Sequence, residues 1–380
     1  MTIHIIQPAL PKYRADFFSL LNTELLKINE NLIVYATKFD HLGVSSITTN
    51  EEFKYNLNSK IIKIFGGKLL WQSNLQITLK PCDILILDGN PRWLNNYIIF
   101  VYAKIKKVPV IWWGQGLAVG SNGFLSKVRK KIMCIYDYII LYTDKEVNEY
   151  ISSGFKSNVL FGLNNGLDFD QITKVCKSWT QDNIGEFKKN NRLTSCNYWC
   201  IFIGRITKKS NISQLINSFN FLDKEIGLII VGDGPYKDEA TNLINQLDLS
   251  SRVILTGPLF DEDDIAPWML SSSLFVYPGS VGLSLIHGFS YGLPAVIHND
   301  RFFQNPEYAA FIDSQNGKAF VKDSICSIAE SINYLIYNPI LRKKMTTSIL
   351  SMMAETFNTR NMTKRFINVI NTIRTNQYSD

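Results

Sequence analysis

Short runs rich in Ile, Val, Leu and Tyr recur along the chain, each followed by a longer stretch whose apolar residues return at helical spacing. Runs that are apolar throughout suit parallel strands buried under helices, so the pattern predicts α/β domains built on parallel sheets. Strands are predicted near 3–7, 32–36, 61–64, 84–87, 110–112, 138–141 and 159–161, with helices between them that include 13–28, 93–106 and 124–135. The polar segment 171–197, where Lys, Asn, Ser and Thr cluster without clear periodicity, predicts a boundary. The strand pattern resumes at 200–203 and continues through 228–231, 253–255, 274–277, 295–297 and 318–321, and 361–375 reads as one more amphipathic helix.

This divides the chain into a first domain at 1–170, a linker at 171–196, a second domain at 197–357 and a terminal helix within 358–380. A length of 380 residues is also too great for one ordinary core. With 46% hydrophobic and 19% charged residues, disorder is excluded. The net charge of +7 and isoelectric point near 8.9 suit an anionic small molecule or membrane surface and do not require nucleic acid. The amino terminus enters strand-like residues without a leader pattern, and no apolar run approaches the roughly 18 residues of a bilayer span. A cytoplasmic protein is expected. The six cysteines are scattered and lack zinc-ligand spacing, so reduced structural thiols are expected and no metal site.

Candidate chemistry gathers at predicted strand ends in the second half. Gly204-Arg205, Gly232-Asp233-Gly234-Pro235, Thr256-Gly257-Pro258 and Pro278-Gly279-Ser280-Val281-Gly282 each place glycine where backbone amides can approach a ligand and a helix begins. Phosphate is the natural guest, and Arg205 with Lys208 and Lys209 supplies cations for a diphosphate. No Gly-x-Gly-x-x-Gly follows the first strand and no Gly-x4-Gly-Lys-Ser/Thr loop occurs, which removes the main supports for dinucleotide redox and P-loop chemistry. In the first half, Trp112-Trp113-Gly114-Gln115-Gly116 suggests sugar stacking on Trp113 and hydrogen bonding by Gln115.

The ordered set Ile203-Gly204-Arg205, Val231-Gly232-Asp233-Gly234-Pro235 and Val281-Gly282-Leu283-Ser284 through Gly292-Leu293-Pro294 resembles glycosyltransferase family 4. Asn165-Gly166-Leu167-Asp168 is similar to the turn that ends the family's first domain. The resemblance implies a GT-B fold: two Rossmann-like parallel-sheet domains facing a central cleft, with a C-terminal helix crossing back to the first domain. It implies metal-independent, retaining transfer of a sugar from a UDP- or GDP-sugar, without a further cofactor. Arg205 and Lys209 would then stabilise the leaving diphosphate. Gly204, Gly232, Gly234, Gly257, Pro258, Val281, Gly282, Leu283 and Ser284 would line the donor site, and His287 would reach the ribose.

Two departures from the family pattern stand out. Ser210 occupies the usual lysine position, so either Lys209 reaches in from its neighbour or Arg205 works with other donors, and Gly279 and His287 replace the family's two glutamates. Glu307 is the candidate substitute carboxylate. Pro11-Lys12-Tyr13-Arg14 resembles an acceptor-side element of related transferases, which assigns Tyr13 and Arg14 to the acceptor. No catalytic base is evident. The helix carrying Lys127, Arg129, Lys130 and Lys131 suits the inner face of an anionic membrane and a lipid-pyrophosphate-linked glycan. The expected function is extension of an O-antigen-like or capsular glycan by a peripherally membrane-associated enzyme. The alternatives are a catalytically silent donor-binding subunit and a sugar-nucleotide epimerase on the same fold.

Overall fold

The computed structural model describes every residue except 42, 43, 45, 48–51, 117–122 and 378–380. The chain divides into two compact units, one comprising Met1–Asp168 and Thr359–Asp380, the other Phe169–Asn358.

The first unit runs β1 (Thr2–Ala9), α1 (Lys12–Lys27), β2 (Asn31–Thr37), β3 (Lys54–Ile64), β4 (Leu69–Ser73), β5 (Ile84–Asp88), α2 (Leu94–Ile105), β6 (Val110–Trp113), α3 (Phe124–Met133), β7 (Tyr138–Leu141), α4 (Asp144–Ser152) and β8 (Leu160–Gly162). Its sheet has the order β4-β3-β2-β1-β5-β6-β7-β8. All neighbours are parallel except β3 and β4, which form an antiparallel edge pair that the sequence pattern does not announce. Most of β3 is polar or half-exposed, so it lacks the continuous apolar run of the central strands.

Alternation along the central strands feeds two cores. Ile3, Ile5, Ile84, Ile86, Ile111 and Trp113 face one layer, and Ile6, Leu85, Leu87, Val110 and Trp112 the other. The strand order reverses between β1 and β5, and such a reversal opens a crevice at the carboxyl ends of the two strands.

The second unit runs α5 (Phe169–Ser178), α6 (Gln181–Asn190), β9 (Tyr198–Ile203), α7 (Ile212–Ser218), β10 (Ile226–Val231), α8 (Lys237–Gln246), β11 (Val253–Gly257), α9 (Glu262–Leu270), β12 (Leu274–Tyr277), α10 (Leu283–Ser290), β13 (Ala295–His298), β14 (Gly317–Phe320), α11 (Ile325–Ile336) and α12 (Pro339–Glu355). Its parallel sheet has the order β11-β10-β9-β12-β13-β14, with the reversal between β9 and β12. Both units are therefore doubly wound α/β layers, the class the pattern predicts.

The segment 171–196, read above as a linker, instead supplies α5 and α6 of the second unit. Its few apolar residues are spaced to be buried: Ile172, Val175, Ile184 and Leu193 are covered, and Phe187 packs edge-on between Trp179 and Trp268. Thr180 caps α6 by accepting the Asn183 N–H at 3.2 Å. Short polar helices of this kind carry too few apolar positions for periodicity to reveal them.

The terminal helix α13 (Thr359–Gln377) belongs to the first unit. Met362, Phe366, Val369, Ile370 and Ile373 lie on one face of it and enter the core beside α1. Arg365 fixes the helix with a bidentate grip on Asp144, at 2.7 and 2.8 Å, and a bond to the Gly162 carbonyl. The Asn165-Gly166-Leu167-Asp168 turn accepts the Thr359 N–H on the Leu167 oxygen.

Candidate active site

In the second unit, the reversal between β9 and β12 brings two loops to the crevice: Gly204–Ser210 after β9 and Pro278–Gly282 after β12. The glycines there serve first to let backbone meet backbone. A Cβ on Gly232 would stand 2.0 Å from the Gly204 oxygen, and one on Gly279 would stand 1.9 Å from the Lys209 oxygen. The Gly204 N–H donates to the Val231 oxygen, the Ile206 N–H to the Asp233 oxygen and the Ser280 N–H to the Lys209 oxygen. Gly234 likewise abuts the Ile206 oxygen. The sequence suggests openings for a ligand at these glycines, yet in the fold they lace neighbouring loops together. Gly257 ends β11 at φ +80°, and Pro258 after it is exposed.

The laced loops present Arg205, Lys208 and Lys209 at the surface. Ser210 is buried, and its hydroxyl closes a capping box with Thr207, donating to the Thr207 oxygen at 2.7 Å and accepting the Thr207 N–H at 3.1 Å. A cation at position 210 would have to leave that enclosure, whereas Lys209 is already outside it.

The β12 loop is braced from behind. Val281 is fully buried, and its N–H is taken by the Gln304 side chain at 2.7 Å, which corrects the expectation that this amide holds a donor phosphate. Gln304 in turn donates to the His298 oxygen, and Asn305 binds the Ser280 oxygen. Gly282 caps α10, so Leu283 and Ser284 occupy its first turn, where amide N–H groups and the helix dipole favour an anion. Glu307 is buried, not solvated, and its carboxylate lies 3.7 Å from where a Cβ on Gly282 would stand.

His287 sits one turn further into α10, and its Nε2 meets Glu262 Oε1 at 2.9 Å. Tyr291 donates to the same carboxylate, and burial together with Glu262 pushes the Tyr291 hydroxyl well above its ordinary range. One ring nitrogen of His287, the residue expected at a ribose, is thus engaged inside the unit. Glu262 carries no sequence signal, because its importance comes from a contact between α9 and α10.

In the first unit, Arg14 follows β1 and Asp88 ends β5, on either side of the strand reversal. Desolvation pushes the Asp88 carboxyl up to about 6, against the pull of the Asn90 N–H, Arg129 and Arg14. Arg14 stacks over Trp113 at 4.9 Å and Tyr142 at 5.9 Å. Trp113 itself is 1% exposed, packed against Phe17, Phe18 and Phe366, so it is a core residue and not an open stacking platform. Tyr13 is half-exposed, and Gln115 is partly exposed.

Arg129 corrects the reading of the basic run. Its guanidinium turns inward to the Gly89 and Gln115 oxygens at 2.9 and 2.8 Å and lies over Trp112, while Lys130 lies over the Tyr150 ring. Only Lys127 and Lys131 of that run are exposed. The Arg14 Nη1 and the Trp112 and Trp113 indole nitrogens are buried donors that meet no acceptor among the described residues. Of these, Arg14 acts on Asp88 electrostatically, and a cation beside a carboxylate suits a ligand that offers both hydroxyl hydrogens and oxygen acceptors. Asp88 is the residue that the sequence reading missed here.

Comparison with known proteins bears on the second unit most directly. Residues 183–349 match the family model described as glycosyl transferases group 1. The second unit carries a glycosyl transferases group 1 domain. This domain takes in both crevice loops, α9, α10 and Glu307. Over 382 aligned residues the chain is 24% identical to an uncharacterized glycosyltransferase of Methanocaldococcus jannaschii, covering 96% of this chain and 88% of that protein. A 109-residue stretch is 30% identical to the N-acetylgalactosamine-N,N'-diacetylbacillosaminyl-diphospho-undecaprenol 4-alpha-N-acetylgalactosaminyltransferase of Campylobacter jejuni, covering 29% of this chain and 27% of that enzyme. In fold, the chain is similar to Anabaena HepE, crystallised with UDP and glucose, at a TM-score of 0.70, 12% identity and coverage of 98% and 100%. The two-sheet α/β architecture around the group 1 domain is thus that of GT-B proteins. Among the described residues, no cluster of three or more His, Cys, Asp or Glu is placed to hold a metal ion, and no helix is long and apolar enough to cross a membrane.

Proposed function

We propose that the chain is a retaining glycosyltransferase that moves a sugar from a UDP- or GDP-sugar to a lipid-diphosphate-linked glycan in surface-polysaccharide synthesis, at the face of an anionic membrane. The observation that carries the reading is the group 1 domain, whose strand reversal holds a cationic loop at Arg205–Lys209 and the head of α10. The Campylobacter relative's diphospho-undecaprenol acceptor and the UDP and glucose held by HepE support the choice of substrates.

Breaking the bond between sugar and diphosphate puts negative charge on the leaving group and positive charge on the sugar. In this reading, Arg205 and Lys209 meet the leaving charge, the amides of Leu283 and Ser284 hold the phosphate, and no metal is required. Glu307, beside Gly282, supplies a carboxylate toward the sugar in place of the family's glutamates. Asp88 and Arg14 orient the acceptor. The departing phosphate takes the acceptor's proton.

The Gly279–Lys209 contact and the His287–Glu262 pair explain how the fold departs from the family's glutamates without losing its loops. The same departure supports the second reading, a donor-binding subunit without turnover. Release of UDP or GDP from candidate sugars separates the two, since the enzyme hydrolyses its donor slowly without acceptor and the silent subunit binds without release.

A further inference from the structure

The outer face of α2 plays no part in the chemistry above, yet it is the most unusual surface of the first unit. Leu94, Ile98, Val101 and Ile105 succeed one another at i, i+4, i+7 and i+11 and so form one stripe. The helix buries Asn95, Asn96 and Ala103 on its opposite side. Ile98 is 60% exposed, Val101 56% and Ile105 74%. A surface helix normally turns polar residues outward, and a continuous apolar stripe there marks an interaction site, unlike single scattered residues.

The charges around the stripe indicate what covers it. Residues 94–107 contain Lys104, Lys106 and Lys107 and no Asp or Glu. Lys104 pairs with Asp137, while Lys106 and Lys107 are exposed. The end of α3 and the turn after it lie on the same side of the sheet, since Ile132 and Met133 of the helix and Tyr136 of the turn share a core with Ile99, Phe100 and Tyr102 of α2. Phe100 packs on Tyr136 at 5.1 Å. That end adds exposed Ile135 and Lys131 to the surface. A second copy of this face would bring lysine against lysine. An anionic bilayer offers acyl chains to the isoleucines and phosphates to the lysines.

We infer that the outer face of α2, with the adjoining end of α3, docks the first unit on an anionic lipid surface. Docking thereby moves from the basic run of α3, half of which points inward, to an apolar stripe with a lysine border. The inference deepens the proposed lipid-linked acceptor and rests on that reading for its purpose, but lipid binding itself requires no turnover.

The test is sedimentation of the purified full chain with vesicles of equal parts phosphatidylglycerol and phosphatidylcholine, and with phosphatidylcholine alone. Binding is expected to the mixed vesicles only and to weaken with salt. Val101→Glu with Ile105→Glu, and separately Lys106→Glu with Lys107→Glu, should each lower the bound fraction at least several-fold, with circular dichroism and thermal midpoint unchanged. Donor hydrolysis without vesicles is measured in parallel and should be equal in all variants, so absent hydrolysis in the parent chain counts against the enzyme reading alone. Failure of the parent chain to bind mixed vesicles, or equal binding by the variants, would overturn the inference. A concentration-dependent dimer abolished by Val101→Glu with Ile105→Glu would overturn it too, assigning the face to a second copy.

Discussion

The carbonyl oxygen of Lys209 stands 1.9 Å from the place a Cβ on Gly279 would occupy. The loop after β9 and the loop after β12 are therefore in backbone contact, and position 279 has no room for any side chain, including the glutamate that the family 4 pattern would put there. Gly279→Ala must displace backbone, so it should cost about 3 kcal/mol or more in urea unfolding. Gly232→Ala, facing the Gly204 oxygen at 2.0 Å, should behave alike. Gly185→Ala is the control: it lies inside α6 with nothing within 4 Å, and should be neutral or stabilising by up to about 1 kcal/mol. Equal stability of the three variants would dismiss the loop contact.

His298 links this brace to pH. Burial pushes its imidazole down to about 4, and its Nδ1 accepts the Asp300 N–H, a bond available only to the neutral ring. Between about 4 and the ordinary value of 6.5, the unfolded chain binds the proton more readily. Stability is therefore full above that window and falls as pH drops through it. His298→Asn should flatten part of the decline, with His4, also pushed down by burial, supplying another part. An unchanged slope would remove His298 from the account.

Asp88 has the opposite sign. Its folded carboxyl titrates near 6, above the ordinary 3.8, so the folded state holds the proton better between those values. This term weakens the fold as pH rises from about 4 to about 6. Asp88→Asn should raise the thermal midpoint at pH 8 relative to the parent chain and leave little difference near pH 4. A midpoint lowered at pH 8 would mean that the Asn90 hydrogen bond and the attraction of Arg129 and Arg14 outweigh desolvation.

Much of this fold is legible in the sequence because central parallel strands are buried on both faces and need continuous apolar runs. The helices at 169–190 are hidden because each buries only a few residues, and the β4 edge is hidden because edge strands need little burial. The crevice loops are legible as glycine turns, but not the purpose of each glycine. Gly232 and Gly279 look like ligand contacts until the facing carbonyls are known. Asp88, Glu262 and the inward turn of Arg129 depend on partners distant in sequence, and no local spacing encodes them. Trp113 misleads for the same reason, since a tryptophan beside glycine reads equally as wall or core.

The terminal helix is a structural member of the first unit. Phe366 is fully buried against Phe17 and Trp113, and Phe366→Ala should cost about 3–5 kcal/mol. Arg365→Lys keeps the charge but loses the two-pronged grip on Asp144, so it should raise hydrogen exchange along α13 with a small change in overall stability. Exchange confined to the helix ends in both proteins would show that the apolar face alone holds it.

The most direct test of the central claim is the release of UDP or GDP from candidate nucleotide sugars by the parent chain and by Arg205→Ala. The account predicts slow release by the parent and a loss of about 100-fold or more in the variant, with donor binding weakened. Release that is equal in the two proteins would contradict it, as would donor binding by the parent with no release from any sugar, even when a lipid-diphosphate acceptor is supplied.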